Sequence, residues 1–528
     1  MSKLSDVFPA CRSLLGPSGW RRVLAVAGDG MTPDGFPVLL KEQGEFGEFP
    51  FLSGLARLEL AVFKVRTADF ILPAVETTII NPTTHIIPLE WTNILTLLSR
   101  SRVRNLEWIK PGNEFILVWQ EPSTGDVLTQ TAEPVDLLAI KLVAEEIDPE
   151  AAARQASVPV GTIDAVMREA VSKGLLISPP SRLRRDAAVA ELAPDQRYAA
   201  AEVFTLQWHL TQQCDLHCRH CYDRSQRSEF PIGRALEILD ELRSFCRKRF
   251  VRGQISLSGG NPLLYPHFYE LYRAAAERDF MIAILGNAAD RHTIERIVTL
   301  QMPVYYQVSL EGLESHNDEI RGGGNYRRTV AFLRMLTEMG VPNMVMLTLT
   351  RKNMDQVIPL AAELENVTGG LTFNRLALFG EGAALELPTP EEYRAFLEKY
   401  VRALENYPVL SLKDSLINTV FESNESGLFG GCAGYGCGAA FNFISILSDG
   451  EAHACRKFPS PIGNILADSL ETIYASQAAV RYRAGSSACS GCRLNSVCRG
   501  CPAVSASLGL DPFTERDPYC FRQHEMAR

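Results

Sequence analysis

The sequence predicts an α/β protein. A parallel, barrel-like array of βα units is preceded by a winged-helix-like α+β segment and followed by a cysteine-rich tail. Three observations carry this. Six strand-like runs between residues 204 and 379 alternate with helix-length segments, and repeated βα units imply a parallel sheet. Residues 114–178 read as a hairpin followed by three helices. Cysteines crowd into two places, Cys214 to Cys221 and Cys432 to Cys520.

Length and composition set the frame. At ~150 residues per domain, 528 residues suggest three to four domains. A 46% hydrophobic and 22% charged chain is ordinary globular protein, which excludes disordered, fibrous and multi-span membrane classes. No run approaches the ~18 apolar residues of a spanning helix, and the start has no signal-peptide core. The expectation is a cytoplasmic protein without a membrane partner. Lys and Arg total 53 against 62 Asp and Glu, a net −9 that does not attract nucleic acid.

Residues 1–110 are expected to form an N-terminal domain of unassigned role, with short strands at 69–72 and 77–80 between Pro and Gly punctuation. Residues 111–180 form the winged-helix-like domain. EFILVWQ, a PSTGD turn and VLTQT give the hairpin. Pro134 opens a helix through Leu142, and a second runs from about Asp148 to Gln155. The third puts Ile163, Val166, Met167 and Ala170 on one face and stops at Gly174. Residues 181–200, charged and Ala-rich after a Pro pair, are expected to be a linker.

Residues 201–400 hold the βα array, with strands FTLQWHL (204–210), QISLS (254–258), FMIAIL (280–285), PVYYQVSL (303–310), NMVMLTLT (343–350) and LTFNRLALF (371–379). Sites in such sheets lie at the C-terminal strand ends. Residues 401–528 break this rhythm and are dense in Gly and Cys.

Thirteen cysteines in a chain with no export signal point to metal or redox chemistry rather than disulfides. Cys214, Cys218 and Cys221 follow the first strand in a C-x3-C-x2-C pattern. Three thiolates can leave one iron of a [4Fe–4S] cube open. Alternatively, His217 or His220 could complete a four-ligand zinc site. Cys246 reads as helix packing, and Cys11 stands alone.

The triplet followed by the aromatic Tyr222 resembles the signature of the radical S-adenosylmethionine (SAM) enzymes. That resemblance implies a partial (β/α)6 TIM-like barrel, with SAM chelating the open iron and giving a 5′-deoxyadenosyl radical on one-electron cleavage. It implies SAM contacts from LSGGNP, at Ser258, Gly259, Gly260 and Asn261, where the family usually carries Glu in place of Asn261. It also implies contacts from Ser309 in QVSLEG and from Arg321 twelve residues on. Gly259 and Gly260 are expected to let backbone approach the methionine end of SAM.

The tail is similar to the SPASM extension of that family, which holds two auxiliary [4Fe–4S] clusters. The resemblance assigns Cys432, Cys437, Cys455 and Cys501 to one cluster, and Cys489, Cys492, Cys498 and Cys520 to the other, three clusters in all. One residue fewer than the family form precedes Cys501, and a pair of zinc ribbons is the alternative.

SPASM proteins act on peptides and proteins. Residues 114–178 resemble the PqqD-like domain that grips the leader of a ribosomally made precursor as an added strand. DNA binding by this segment is disfavoured, because it holds 11 acidic and 4 basic residues. A structural spacer stays open. The resemblance therefore implies a peptide maturase, of selenobiotic type among the subgroups. It would form a thioether or carbon–carbon crosslink, with a flavodoxin or ferredoxin as electron donor. A sulfatase-maturase-like oxidation is the competitor, lowered because Arg456 stands after Cys455 where those enzymes have Asp. A non-catalytic redox or zinc-stabilised peptide-binding scaffold is the reading from another class.

Overall fold

The computed structural model describes residues 4–28, 30–42, 48–99, 106–424 and 427–524. The chain divides into two compact units, Met1–Pro179 and Pro180–Arg528.

The first unit begins with helices, not with the sparse strands expected there. Leu4–Val7, Pro9–Ala27, Phe36–Glu42 and Leu52–Thr67 are helical. Residues 69–72 form no strand, and of 77–80 only Ile79–Ile80 does, pairing antiparallel with Leu176–Ile177. The helical periodicity was masked by Gly16 and Pro17, where Gly16 adopts φ 67° and kinks the second helix. Glu59 is an acid inside the apolar face of its helix. It is 3% exposed and accepts from the Ala10 and Cys11 amides at the start of Pro9–Ala27, a carboxylate at a helix N-terminus.

His85–Thr92, Lys110–Gln120 and Val127–Thr131 make a three-stranded antiparallel sheet. This sheet crosses the boundary expected at 110/111, because the partner of 110–120 lies upstream of it. Helices Pro134–Ala144, Pro149–Ala156 and Val160–Ser172 follow, the second capped by Asp148. Ile163 and Ala170 are buried, and Val166 and Met167 pack beside them.

In the second unit, residues 181–200 are not a free linker. Leu183, Arg185 and Tyr198 are buried, and the Tyr198 hydroxyl donates to the Leu428 carbonyl at 2.8 Å. Six parallel strands then follow: Val203–Thr211, Arg252–Gly259, Met281–Leu285, Tyr305–Ser309, Asn343–Leu349 and Leu371–Arg375. Helices separate them, and strand residues such as Leu206, Ile255, Ile284 and Val345 are fully buried, as parallel strands covered on both faces require. The sheet does not end at the barrel. Phe443–Ile446 adds parallel to the first strand, and Glu451–His453 and Pro461–Asn464 extend it antiparallel to nine strands. The cysteine-rich tail is thus built onto the barrel edge, so the expected cut at 400/401 divides one continuous sheet.

Candidate active site and cysteine clusters

The six barrel strands deliver their C-terminal ends to one cavity of about 500 Å³, within the ~300–1,000 Å³ of small-molecule sites. Cys214, Cys218 and Cys221 line it from the loop after the first strand, beside Tyr222. Ser258, Gly259 and Gly260 come from the second strand, Ser309 from the fourth, and Arg321 from the helix that follows it. Of the candidates for the first cluster and SAM, all but Asn261 line this cavity.

Asn261 is not among the residues that line this cavity. Its side-chain oxygen accepts from the Leu263 amide at 3.3 Å, and its nitrogen donates to Asp215 at 3.0 Å. With both groups engaged and the residue 5% exposed, it braces the cysteine loop from behind rather than facing the cavity. The glycine pair has a nearer purpose than SAM approach. A Cβ on Gly259, at φ +138°, would meet the Thr211 carbonyl oxygen at 2.3 Å, and one on Gly260 the Gln213 carbonyl oxygen at 2.2 Å. The glycines let the second strand pack against the backbone that leads into Cys214.

Asn287, after the third strand, is a hub that sequence reasoning missed. It donates to Asp215 at 2.6 Å, and its carbonyl accepts from the Tyr306 hydroxyl at 2.7 Å. Its side-chain oxygen accepts from Arg321 at 3.3 Å. Arg321 also pairs with Glu311 at 3.3 Å, yet its Nε has no hydrogen-bond partner. Arg321 lines the cavity, and a guanidinium there suits a ligand carboxylate. Glu311 receives the Thr348 amide at 2.8 Å and lies 3.4 Å from His220 Nε2. The QVSLEG motif did contain Glu311, but only folding showed that it orients Arg321.

His209 also lines the cavity, with the Tyr222 hydroxyl 2.9 Å from its Nε2. Burial, then the charge of Arg456, pushes His209 down to about 3, so its ring is neutral. Arg456 donates to Ser258 Oγ at 2.7 Å, and Lys457 donates to the Arg375 carbonyl at 2.8 Å. Both lie directly after Cys455, so the tail contributes to the cavity as well.

Several of the thiols lie close enough to one another to interact. Cys218 feels Cys214 and Cys221; Cys437 feels Cys432, Cys501 and Cys455; Cys489 feels Cys520 and Cys492, and Cys498 feels Cys520. A small pocket is bordered by Cys489, Cys492, Cys498 and Cys520 together. Burial above all pushes Cys218, Cys455 and Cys489 up to about 11, so iron must displace protons to bind them. Cys246 is buried in its helix, as expected, and Cys11 is buried in the first unit.

Residues 208–364 match the radical SAM superfamily, and residues 437–502 match the SPASM iron–sulfur cluster-binding domain. The chain carries a radical SAM domain with a SPASM domain behind it. Three similar proteins illustrate the range. The subtilosin biosynthesis protein AlbA of Bacillus subtilis is 24% identical over 280 residues, 51% of this chain and 59% of that protein. The mycofactocin maturase MftC of Mycolicibacterium smegmatis is 29% identical over 339 residues, 60% of this chain and 82% of that protein. An AdoMet-dependent heme synthase of Methanosarcina barkeri is 24% identical over 346 residues, 60% of this chain and 95% of that protein. Among solved structures, that of Streptococcus suis SuiB shares the fold with a TM-score of 0.50 at 18% identity, covering 77% of this chain and 96% of that one. The second unit is 349 of 528 residues, so this likeness reaches into the first. Among the described residues no helix is long and apolar enough to cross a membrane.

Proposed function

We propose that this chain is a radical SAM maturase that abstracts a hydrogen from a ribosomally made precursor peptide and installs a thioether or carbon–carbon crosslink. The observation that carries the reading is the single cavity that gathers Cys214, Cys218 and Cys221 with Gly259, Gly260, Ser309 and Arg321. A [4Fe–4S] cluster with SAM on its open iron supplies a 5′-deoxyadenosyl radical there when bound. The rest is done by the chain's own residues. Arg321, oriented by Glu311 and Asn287, offers its guanidinium to the SAM carboxylate. Ser258 and Ser309 offer hydroxyls to the same ligand. Neutral His209 and Tyr222 close the wall beside the cysteines and shield the site from water.

Cys432, Cys437, Cys455 and Cys501 would hold one auxiliary cluster and Cys489, Cys492, Cys498 and Cys520 a second, and such clusters would supply an acceptor for the electron left after bond formation. A flavodoxin or ferredoxin in a reducing cytoplasm supplies electrons, and the 114–178 segment takes the leader as a PqqD-like domain does. Maturation of subtilosin and mycofactocin by the relatives supports a peptide substrate. The heme synthase makes a tetrapyrrole the competing substrate. What favours the peptide is the fold shared with SuiB over 77% of this chain, against the 60% that the heme synthase matches.

The test is anaerobic. About twelve irons per chain after reconstitution, deoxyadenosine released on reduction with SAM, and a precursor peptide that loses two hydrogens in its mass spectrum are expected. Zinc without SAM cleavage would leave only a scaffold. Deoxyadenosine formed with a porphyrin but with no peptide from the gene neighbourhood would overturn the substrate.

A further inference from the structure

We infer that Arg185 and Arg499 are the counter-charges of the two auxiliary clusters and raise their reduction potentials. The inference rests on the assignment of the eight C-terminal cysteines as two cluster-ligand sets.

Arg185 is 6% exposed. One nitrogen, Nη2, donates to the carbonyls of Tyr435 and Cys437 at 2.5 and 2.7 Å, and the guanidinium lies 3.7 Å from the Phe441 ring centroid. Its Nε and Nη1 have no hydrogen-bond partner. Among the described residues it forms no ion pair with a carboxylate, and the nearby acid, Asp186, is exposed and unpaired with it. A buried cation in that state is strongly unfavourable unless another charge compensates it. Arg375 shows what the same fold does elsewhere. Buried to a similar degree, it is held by Asp414 at 2.8 Å and by both oxygens of Asp517.

Arg499 compounds the problem. Its guanidinium donates to the carbonyls of Arg483 and Ala484, and it repels that of Arg185. It too has no carboxylate ion pair among the described residues. It borders the pocket of Cys489, Cys492, Cys498 and Cys520, and also the one that contains Cys437 and Cys501. Neither guanidinium has a carboxylate ion pair among the described residues, and the acid whose charge reaches both, Asp186, is exposed. The cysteines of the two quartets supply the thiolates beside them.

Four thiolates on a [4Fe–4S]2+ core sum to a dianion, which becomes a trianion on reduction. A fixed cation in a low-dielectric setting favours the more negative form. Arg185, bound to the carbonyl of Cys437, acts on the first auxiliary cluster. Arg499 acts on both. Each is a positioning residue that makes its cluster a better electron acceptor.

The test uses the full chain, reconstituted anaerobically, with Arg185→Met, Arg185→Lys and Arg499→Met. Iron is counted, and each cluster is titrated with a reductant by electron paramagnetic resonance. R185M is expected to weaken reduction of one cluster at least tenfold, about 59 mV for a one-electron couple, while R185K preserves it. R499M is expected to lower both potentials. R185M with full iron and unchanged potentials overturns the inference. Wild-type protein with iron for only one cluster overturns the ligand assignment instead, and the inference with it.

If R185M does not retain iron, the metal-free proteins decide. A clamp that merely holds Tyr435 and Phe441 would make metal-free R185M melt below metal-free wild type, against the inference. Relief of an uncompensated charge would make it melt above.

Discussion

Replacing Gly260 by alanine separates two reasons for the glycine pair. The added Cβ would lie 2.2 Å from the Gln213 carbonyl oxygen, 2.6 Å from its carbon and 2.7 Å from the Gln212 oxygen. All three are backbone atoms, so no side-chain rotation relieves the contact. Moving from 2.2 Å to an ordinary 3.4 Å demands a shift of more than an ångström. It would have to break the bonds from the Gly260 amide to Thr211 at 2.8 Å and from the Asn261 amide to Gln213 at 2.7 Å. Overpacking of this kind costs ~1–3 kcal/mol. The displaced residue precedes Cys214, and a ~1 Å misplacement at a reacting site costs on the order of a hundredfold in rate. The assay is iron per chain after reconstitution, together with deoxyadenosine release across a SAM concentration series. G260A is expected to lose about four irons and not to be rescued by more SAM. Wild-type iron with only a raised SAM requirement would refute the packing argument and restore close approach of SAM as the reason.

Three further outcomes are expected. Cys432→Ala and Cys489→Ala should each remove about four irons while leaving SAM cleavage measurable, whereas Cys214→Ala abolishes cleavage and spares the other clusters; iron counts and deoxyadenosine yields check this. Lys173 sits 2.8 Å from both Asp136, which is buried, and Glu169. Burial opposes its charge, but these acids hold the ammonium above its ordinary value. Lys173→Met strands a buried carboxylate and should destabilise the first unit by up to ~3 kcal/mol, measured by denaturant melts. Asp318 accepts from the Gly324 and Tyr326 amides at 2.6 and 2.8 Å. Although burial opposes it, these bonds hold its carboxyl below the usual range. Its folded value being depressed, its stabilisation is present above ~pH 4 and fades as pH falls further. Asp318→Asn should lose ~1 kcal/mol at neutral pH and flatten the acid side of the stability profile.

What was legible in the sequence was what is local along the chain. The barrel strands showed because parallel strands buried on both faces are unbroken apolar runs. The cysteine triplet showed because a single loop can carry all its ligands. The N-terminal helices did not, because Gly16 and Pro17 interrupt the first and Glu59 breaks the apolar stripe of the last, and that acid makes sense only beside the amides of Ala10 and Cys11.

The sequence by itself determined the clustering of the cysteines and the strand ends where a site belongs, and the family resemblance of its motifs supplied the cysteine sets and Arg321 as candidates. Only the tertiary structure turned Asn261 away from the cavity, made Asn287 and Glu311 the orienting partners of Arg321, and joined the cysteine-rich tail to the barrel through the pairing of Phe443–Ile446 with the first strand. The physical reason is burial. A side chain's type is set by the chain, but which polar partner must satisfy it is decided by whatever residue, near or hundreds of positions away, shares its dry surroundings.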